Sequence, residues 1–129
     1  MKTIIYRLAV LAGAALMLIS CEKQEVKVQP TLKTVAAADA DITSTSAKLK
    51  GEVVSVGNMT ITEYGIEISK SQLFTNPLSQ TITGAPTVGT FEVTFTGLES
   101  NTKYYFKPYA LINTARVYSD GYLNFTTKP

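Results

Sequence analysis

The 129-residue chain contains no histidine and no tryptophan, and Cys21 is its only cysteine. Without histidine, the chain lacks the base that most often activates a catalytic serine or cysteine. A single cysteine excludes a disulfide within the chain and leaves too few ligands for a typical zinc site. The sequence therefore predicts a protein that is not an enzyme and that has no cofactor.

The chain has almost no net charge outside its N-terminal segment. The formal net charge is +2, and both excess basic residues, Lys2 and Arg7, lie within the first twenty residues, so the remainder of the chain is formally neutral. Because nucleic-acid binding requires a strongly basic surface, we expect no nucleic acid as a partner.

An apolar run near the N-terminus predicts an export signal. It extends from Leu8 to about Ile19 behind the basic residues Lys2 and Arg7, and only Gly13 interrupts it. A membrane span needs about 20 apolar residues, so this run is too short to be one. Its length and flanks instead predict a helical signal peptide over residues 1–20.

The apolar run ends in Leu18-Ile19-Ser20-Cys21, which resembles the lipobox of bacterial lipoproteins. The resemblance implies that the Cys21 thiol receives a diacylglycerol group, that the signal is removed before Cys21, and that the new amino group is acylated. Buried lipid chains contribute about 0.8 kcal/mol per methylene, and two or more chains anchor a protein stably. The alternative is a free cysteine that packs as a small apolar side chain.

Residues 21–32 predict a flexible tether between lipid and domain. From Glu22 to about Pro30 the only apolar residues are Val26 and Val28, and nine extended residues reach at most about 30 Å. The first of these residues, Glu22 to Glu25, are loosely similar to the stretch after the lipidated cysteine of Bacteroidetes lipoproteins that are displayed on the cell surface. The alternative is an ordinary solvated linker. We expect attachment to the outer membrane, with display on the cell surface left open.

Residues 33–129 predict one all-β domain, because apolar and polar residues alternate there with a period of two. The first strand is predicted from Lys33 to Ala38. The second strand carries its core face on Ala47, Leu49, Gly51 and Val53. A bulge is expected in the third strand near Thr62-Glu63, where the alternation changes phase, and the last strand is expected to have Leu123 and Phe125 inward and a bulge or kink at Ser119-Asp120-Gly121.

The stretch from Gly97 to Ala110 resembles the corner and following strand of fibronectin type III domains. Leu98, Tyr104, Phe106, Pro108 and Ala110 share one parity in it. Tyr104 occupies the position of the tyrosine corner, whose hydroxyl bonds to the backbone upstream. The segment Glu63-Tyr64-Gly65-Ile66 and the ending Phe125-Thr126-Thr127 resemble such domains in Bacteroidetes lipoproteins. The resemblance implies a seven-stranded antiparallel immunoglobulin-like sandwich.

Three positions depart from that family's pattern. Leu49 stands where a core tryptophan is usual, and Ser100 stands where proline is usual. Pro108 lies in mid-strand, where it removes a ladder donor, so we expect a bulged or bent partner strand beside it. The loop at Asn113 contains no Arg-Gly-Asp motif, and integrin binding is therefore not implied.

Two sets of side chains are candidates for binding. Asp39 and Asp41 offer carboxylates for calcium, although turn carboxylates are the simpler interpretation, and no metal is predicted. Aromatic and basic residues are expected on the outward face of the last two strands, where they would stack on sugars or anchor a protein or simply pair across strands. This candidate ligand surface comprises Tyr105, Lys107, Tyr109, Tyr118 and Tyr122.

The function that the sequence favours is a non-catalytic interaction module in the cell envelope, attached to the membrane through lipid on Cys21. The predicted role is protein–protein interaction or adhesion. The alternative is a carbohydrate-binding accessory lipoprotein that captures glycans.

Overall fold

The computed structural model describes residues 25–129, and these residues form two antiparallel β-sheets that pack face to face. Alternating β-branched, aromatic and polar residues fit such half-buried strands. A short 3-10 turn at Asp39–Asp41 is the helical element among them. The strands are β1 Thr31–Thr34, β2 Ala47–Ser55, β3 Ile61–Ser69, β4 Leu78–Thr83, β5 Gly89–Phe95, β6 Lys103–Ile112, β7 Ala115–Tyr118 and β8 Leu123–Thr126.

The strand order confirms the predicted immunoglobulin-like sandwich. One sheet has the order β1-β2-β5, and the other has the order β4-β3-β6, with β7 and β8 both paired to the free side of β6. Residues 25–129 form eight strands rather than the predicted seven, because the last strand is interrupted between Tyr118 and Leu123. The kink expected at Ser119-Asp120-Gly121 is thus a full break. The bulge predicted in β3 is confirmed by a register shift between Ile61 and Glu63.

The core lies where the period-two pattern predicted it. Leu49 is fully buried at the position where a tryptophan is usual, and the inward set of β6 is buried throughout. Leu123 is the exception, since its side chain is 38% exposed beside the break in the last strand. Two clusters fill the space between the sheets, and their most buried members are Ala47, Leu49, Ile66, Ile68, Phe106 and Ala110.

Tyr104 forms the predicted tyrosine corner. Its ring is 4% exposed and stacks on Phe125, with ring centroids 5.5 Å apart. The Glu99 amide donates a hydrogen bond of 3.0 Å to the Tyr104 hydroxyl. The bond pins the connection between β5 and β6 to the core, so Tyr104 has a structural role.

Pro108 explains where the last strand breaks. The Pro108 carbonyl accepts a bond of 3.3 Å from the Ser119 amide, so this residue directs its hydrogen-bonding side toward the gap between β7 and β8. A strand residue directs its nitrogen and its carbonyl oxygen to the same neighbour, and proline has no N–H to offer there. The bent partner strand expected beside Pro108 is therefore confirmed as an interruption.

The domain begins earlier than the sequence suggested. The first strand is Thr31–Thr34 rather than Lys33 to Ala38, and it takes in two residues assigned to the tether. Leu32 is 5% exposed and belongs to the core cluster that contains Val53. The predicted signal peptide and Cys21 lie outside the described residues. Among residues 25–129, the structure contains no helix that is both long and apolar enough to span a bilayer.

Candidate functional site

The outer face of the larger sheet collects aromatic and basic side chains from two strands and two loops. On β6, residues of odd number point outward, and the register places Tyr109 beside Tyr118 on β7. We call this surface the aromatic–basic face. Its members are Phe74, Lys103, Tyr105, Lys107, Arg116, Tyr118 and Tyr122.

A buried carboxylate lies beneath the centre of this face. The Glu67 side chain is 5% exposed, and Arg116 Nη1 donates to its Oε2 at 2.7 Å. The Tyr118 hydroxyl donates to the same oxygen at 3.1 Å, and Arg116 also donates to the Ser79 hydroxyl at 3.0 Å. A buried charge is costly unless it is paired and hydrogen-bonded, so these contacts hold Arg116 and Tyr118 in place.

The ionisation of this cluster follows from the same contacts. Burial raises the pKa of the Tyr118 phenol, and the Glu67 carboxylate raises it further. Burial opposes the charge on Arg116, but the bond to Glu67 and the nearby phenols outweigh it and raise the Arg116 pKa. At neutral pH, Tyr118 is therefore a neutral donor and Arg116 a cation.

Tyr109 is not part of the exposed surface, and the prediction that it faces a ligand is wrong. Its side chain is 0% exposed. The Arg116 guanidinium lies over its ring, 4.0 Å from the centroid, and its hydroxyl shares a hydrogen bond with Thr81. Gly65 lies between Tyr109 and Thr81 in the sheet register, so the link between the two hydroxyls passes over Gly65. Tyr109 thus supports the face from below.

Lys107 lies between two parts of the aromatic–basic face. One part is the cluster of Arg116 and Tyr118 above Glu67, and the other is a group of aromatic rings that includes Phe74. Its Nζ lies 3.9 Å from the ring centroid of Tyr118 and 4.1 Å from that of Phe74, so two rings flank the ammonium group. Cation–π contacts of this kind contribute about 0.5–1 kcal/mol at exposed sites and more where water is excluded. Phe74 reaches this position from the β3–β4 loop, where its φ is 54°.

The second half of the face is a group of three aromatic rings. Tyr122 packs edge to face on Phe74 at 5.7 Å and on Tyr105 at 5.6 Å between centroids. Gln72 donates to the Tyr105 hydroxyl at 3.2 Å, and Lys103 lies 5.9 Å from the Tyr105 ring. The Tyr118 and Tyr122 side chains are 37% and 43% exposed. These rings therefore offer part of their surface to a ligand while their neighbours fix their orientation.

A groove of about 380 Å³ continues the face around the broken last strand. Tyr122 and Leu123 line one wall, and Leu32 and Val54 line the other. The Thr34 hydroxyl, which donates to the Gly121 carbonyl at 3.0 Å, closes one side. The groove joins the edges of the two sheets and adds apolar surface next to Tyr122.

The two aspartates considered for calcium lie away from this face. Asp39 and Asp41 occupy the 3-10 turn, and Asp39 Oδ2 is 3.5 Å from Lys128 Nζ. Within the part of the chain that the structure describes, no group of three or more potential metal-ligating side chains of His, Cys, Asp or Glu occurs.

The structure brings together four of the five predicted surface residues, namely Tyr105, Lys107, Tyr118 and Tyr122. Sequence reasoning missed Phe74, Lys103, Arg116 and the buried Glu67. An outward-facing Glu67 in mid-strand and an Arg116 two residues before Tyr118 were the available signals. Phe74 lies in a loop, and no periodicity marked it.

No family model matches this sequence, and no curated protein matches it. Among solved structures, the sensor domain of the anti-sigma factor RsgI4 from Pseudobacteroides cellulosolvens is similar, with a TM-score of 0.61 and 18% identity over 78% of this chain and 96% of that one. A fibronectin type III domain of the human KIAA0970 protein has a TM-score of 0.55 and 19% identity, over 76% of this chain and 73% of that one.

A further fibronectin type III domain, the fourth of a human protein, has a TM-score of 0.55 and 16% identity, and the match covers 81% of each chain. At such identities the likeness establishes the fold alone. The described residues form a fibronectin type III-like sandwich.

Proposed function

We propose that this protein is a non-catalytic binding module of the cell envelope, anchored in the outer membrane by lipid on Cys21, and that the aromatic–basic face holds a protein partner. The carrying observation is the face itself, in which exposed tyrosines alternate with cations on a rigid sheet. Tyrosine and arginine are enriched at the centres of protein interfaces. The absence of histidine supports a role other than catalysis.

The charge of the face suggests the kind of partner. Glu67 balances Arg116, whereas Lys103 and Lys107 contact aromatic rings. The face therefore carries a positive surplus and suits an acidic protein surface that also offers apolar contacts. The similar RsgI4 domain is described as a sensor domain, which fits a binding role for this sandwich.

The second candidate is a carbohydrate-binding accessory lipoprotein. Aromatic rings on a sheet favour it, because sugars stack on flat rings. The interplanar angles of 84° between Tyr105 and Tyr122, and of 72° between Phe74 and Tyr122, argue against a flat stacking platform. A protein partner is therefore the first candidate and a glycan the second.

The binding surface is tested by replacing Tyr105 and Tyr122 together with alanine. Loss of two interface aromatics is expected to lower recovery of a partner, cross-linked in intact cells, by at least about tenfold. The control is Lys48→Ala with Thr94→Ala, an opposed pair on the other sheet, which should leave recovery unchanged. If the tyrosine variant and the control variant recovered the partner equally, the aromatic–basic face would not be the binding surface. Glycan-array binding that the tyrosine variant loses would establish the second candidate.

The anchor is tested by replacing Cys21 with serine. The wild-type protein is expected to incorporate a clickable fatty acid and to enter the detergent phase, because its acyl chains are apolar. The C21S variant should remain unlabelled and aqueous. Undiminished labelling of the variant would show that the lipid is attached elsewhere.

A further inference from the structure

The N-terminal residues of the described chain are fastened to the sandwich rather than free. Asn58, in the β2–β3 loop, accepts a bond from the Val28 amide at 2.7 Å and donates its side-chain amide to the Val26 carbonyl at 2.7 Å. Its own backbone amide donates to the Val28 carbonyl at 3.0 Å. We call these three bonds the Asn58 clamp.

The glycine before Asn58 lets the clamp close. Gly57 has a φ of +64°, and a Cβ placed there would lie 2.2 Å from the Val28 carbonyl oxygen. A side chain at this position would force the N-terminal segment away from the loop. Gly57 thus leaves room for the backbone of residues 26–28, and Asn58 forms hydrogen bonds to it. The sequence alone indicates only a turn at this pair.

The clamp places the start of the domain at one end of the sandwich. Glu25 and Lys27 line a cavity of about 270 Å³ together with Met59 and Asn113, which belong to the β2–β3 loop and the β6–β7 turn. The β4–β5 loop lies at the same end, since Pro86 lines a cavity with Gly57 and Met59. We call this the clamp end.

We infer that the clamp end faces the lipid bilayer and that the sandwich stands on it. The inference rests on the proposed lipid anchor at Cys21. With Val26 fastened, the chain between Cys21 and the domain reaches at most about 17 Å, against about 30 Å for the tether predicted from sequence. The ten residues of β6 alone extend about 33 Å, so the shortened tether keeps the clamp end nearer the membrane than the opposite end.

The surface of the clamp end suits a lipid headgroup region. Val26 is 79% exposed and Val88 is 66% exposed there, and both are apolar. Glu25 and Lys27, which line the cavity at this end, have opposite charges that balance each other. The aromatic–basic face then lies on a side of the standing domain, where a partner can reach it, whereas the β6–β7 turn is directed to the bilayer.

Energy transfer to labelled lipid tests this orientation. The lipidated full chain is reconstituted into phosphatidylethanolamine–phosphatidylglycerol vesicles that contain a headgroup-linked acceptor. A donor dye is attached to a second cysteine, either T114C at the clamp end or S100C at the opposite end; both sites are exposed. Because the ends are separated by about the length of β6, transfer from T114C is expected to exceed transfer from S100C about twofold.

The matched variant N58A removes the two side-chain bonds of the clamp, including the bond that holds Val26, and so lengthens the tether. Circular dichroism checks that the fold is retained. The twofold difference should shrink in N58A. Equal transfer from the two sites in the unaltered, vesicle-bound chain would overturn the orientation but leave the anchor intact. A chain that carries no lipid and stays in the aqueous phase would overturn the anchor and the orientation together, so the two failures are distinguishable.

Discussion

Replacing Arg116 with methionine is expected to lower the free energy of unfolding by about 3 kcal/mol, because it leaves a buried carboxylate without its cation. Glu67 is 5% exposed and would retain only the Tyr118 hydroxyl, at 3.1 Å. The Arg116 side chain is itself 32% exposed, so water relieves part of the loss and the value lies at the low end for a buried pair. Urea unfolding followed by circular dichroism measures it.

Two further variants separate this cause from a general loss of surface charge. Lys103→Met removes another cation of the same face, which contacts only the Tyr105 ring at 5.9 Å, and should change stability by less than about 0.5 kcal/mol. Adding Glu67→Gln to Arg116→Met should restore part of the stability, since the buried charge is then gone. Equal losses in the Arg116 and Lys103 variants would contradict the assigned role of Glu67.

Replacing Gly65 with alanine is expected to destabilise the domain by about 3 kcal/mol or more, through a clash between β3 and β4. A Cβ at Gly65 would lie 1.9 Å from the Gln80 carbonyl oxygen, and backbone cannot swing aside as a side chain would. The two strands would have to separate where Tyr109 is linked to Thr81. Thermal unfolding would report the loss, and hydrogen exchange should show that it begins in β4.

Gly121 provides the matched control for this substitution. A Cβ there meets nothing within 4 Å, and its backbone is outside the left-handed region that favours glycine. Gly121→Ala should therefore be neutral or stabilise the domain by up to about 1 kcal/mol, because alanine restricts the unfolded chain. If Gly65→Ala unfolded at the same temperature as Gly121→Ala, the close approach of β4 to β3 would be disproved.

The sandwich could be predicted from the sequence because apolar core residues alternate with polar residues along most of its strands. Leu49, Phe106 and Ala110 are buried where parity placed them. The first strand was misplaced because only one of its four residues, Leu32, is buried, so the pattern was too short to fix its ends. The fastening of Val28 was missed because its partner, Asn58, is 30 residues away.

Parity also predicted the face that Tyr105 and Tyr109 share, but it could not predict how much of each is exposed. Tyr109 is covered by Arg116, a residue of the neighbouring strand, and burial of this kind depends on the register between strands rather than on either strand alone. The reverse holds for Leu123, which points inward but is uncovered by the break in the last strand. The periodicity of a strand predicts toward which face of the sheet a side chain points. How far that side chain is exposed depends on the residues of the adjacent strands and loops.

The break in the last strand opposite Pro108 also affects how readily this edge of the sheet could pair with another copy of the domain. The edge of a sheet is a row of unpaired backbone groups that can recruit another chain and start aggregation. Here that edge consists of β7 and β8, which have four residues each and are separated by a loop. A second chain would find two short ladders in place of one continuous template. This edge of the larger sheet is therefore a poor starting point for aggregation between copies.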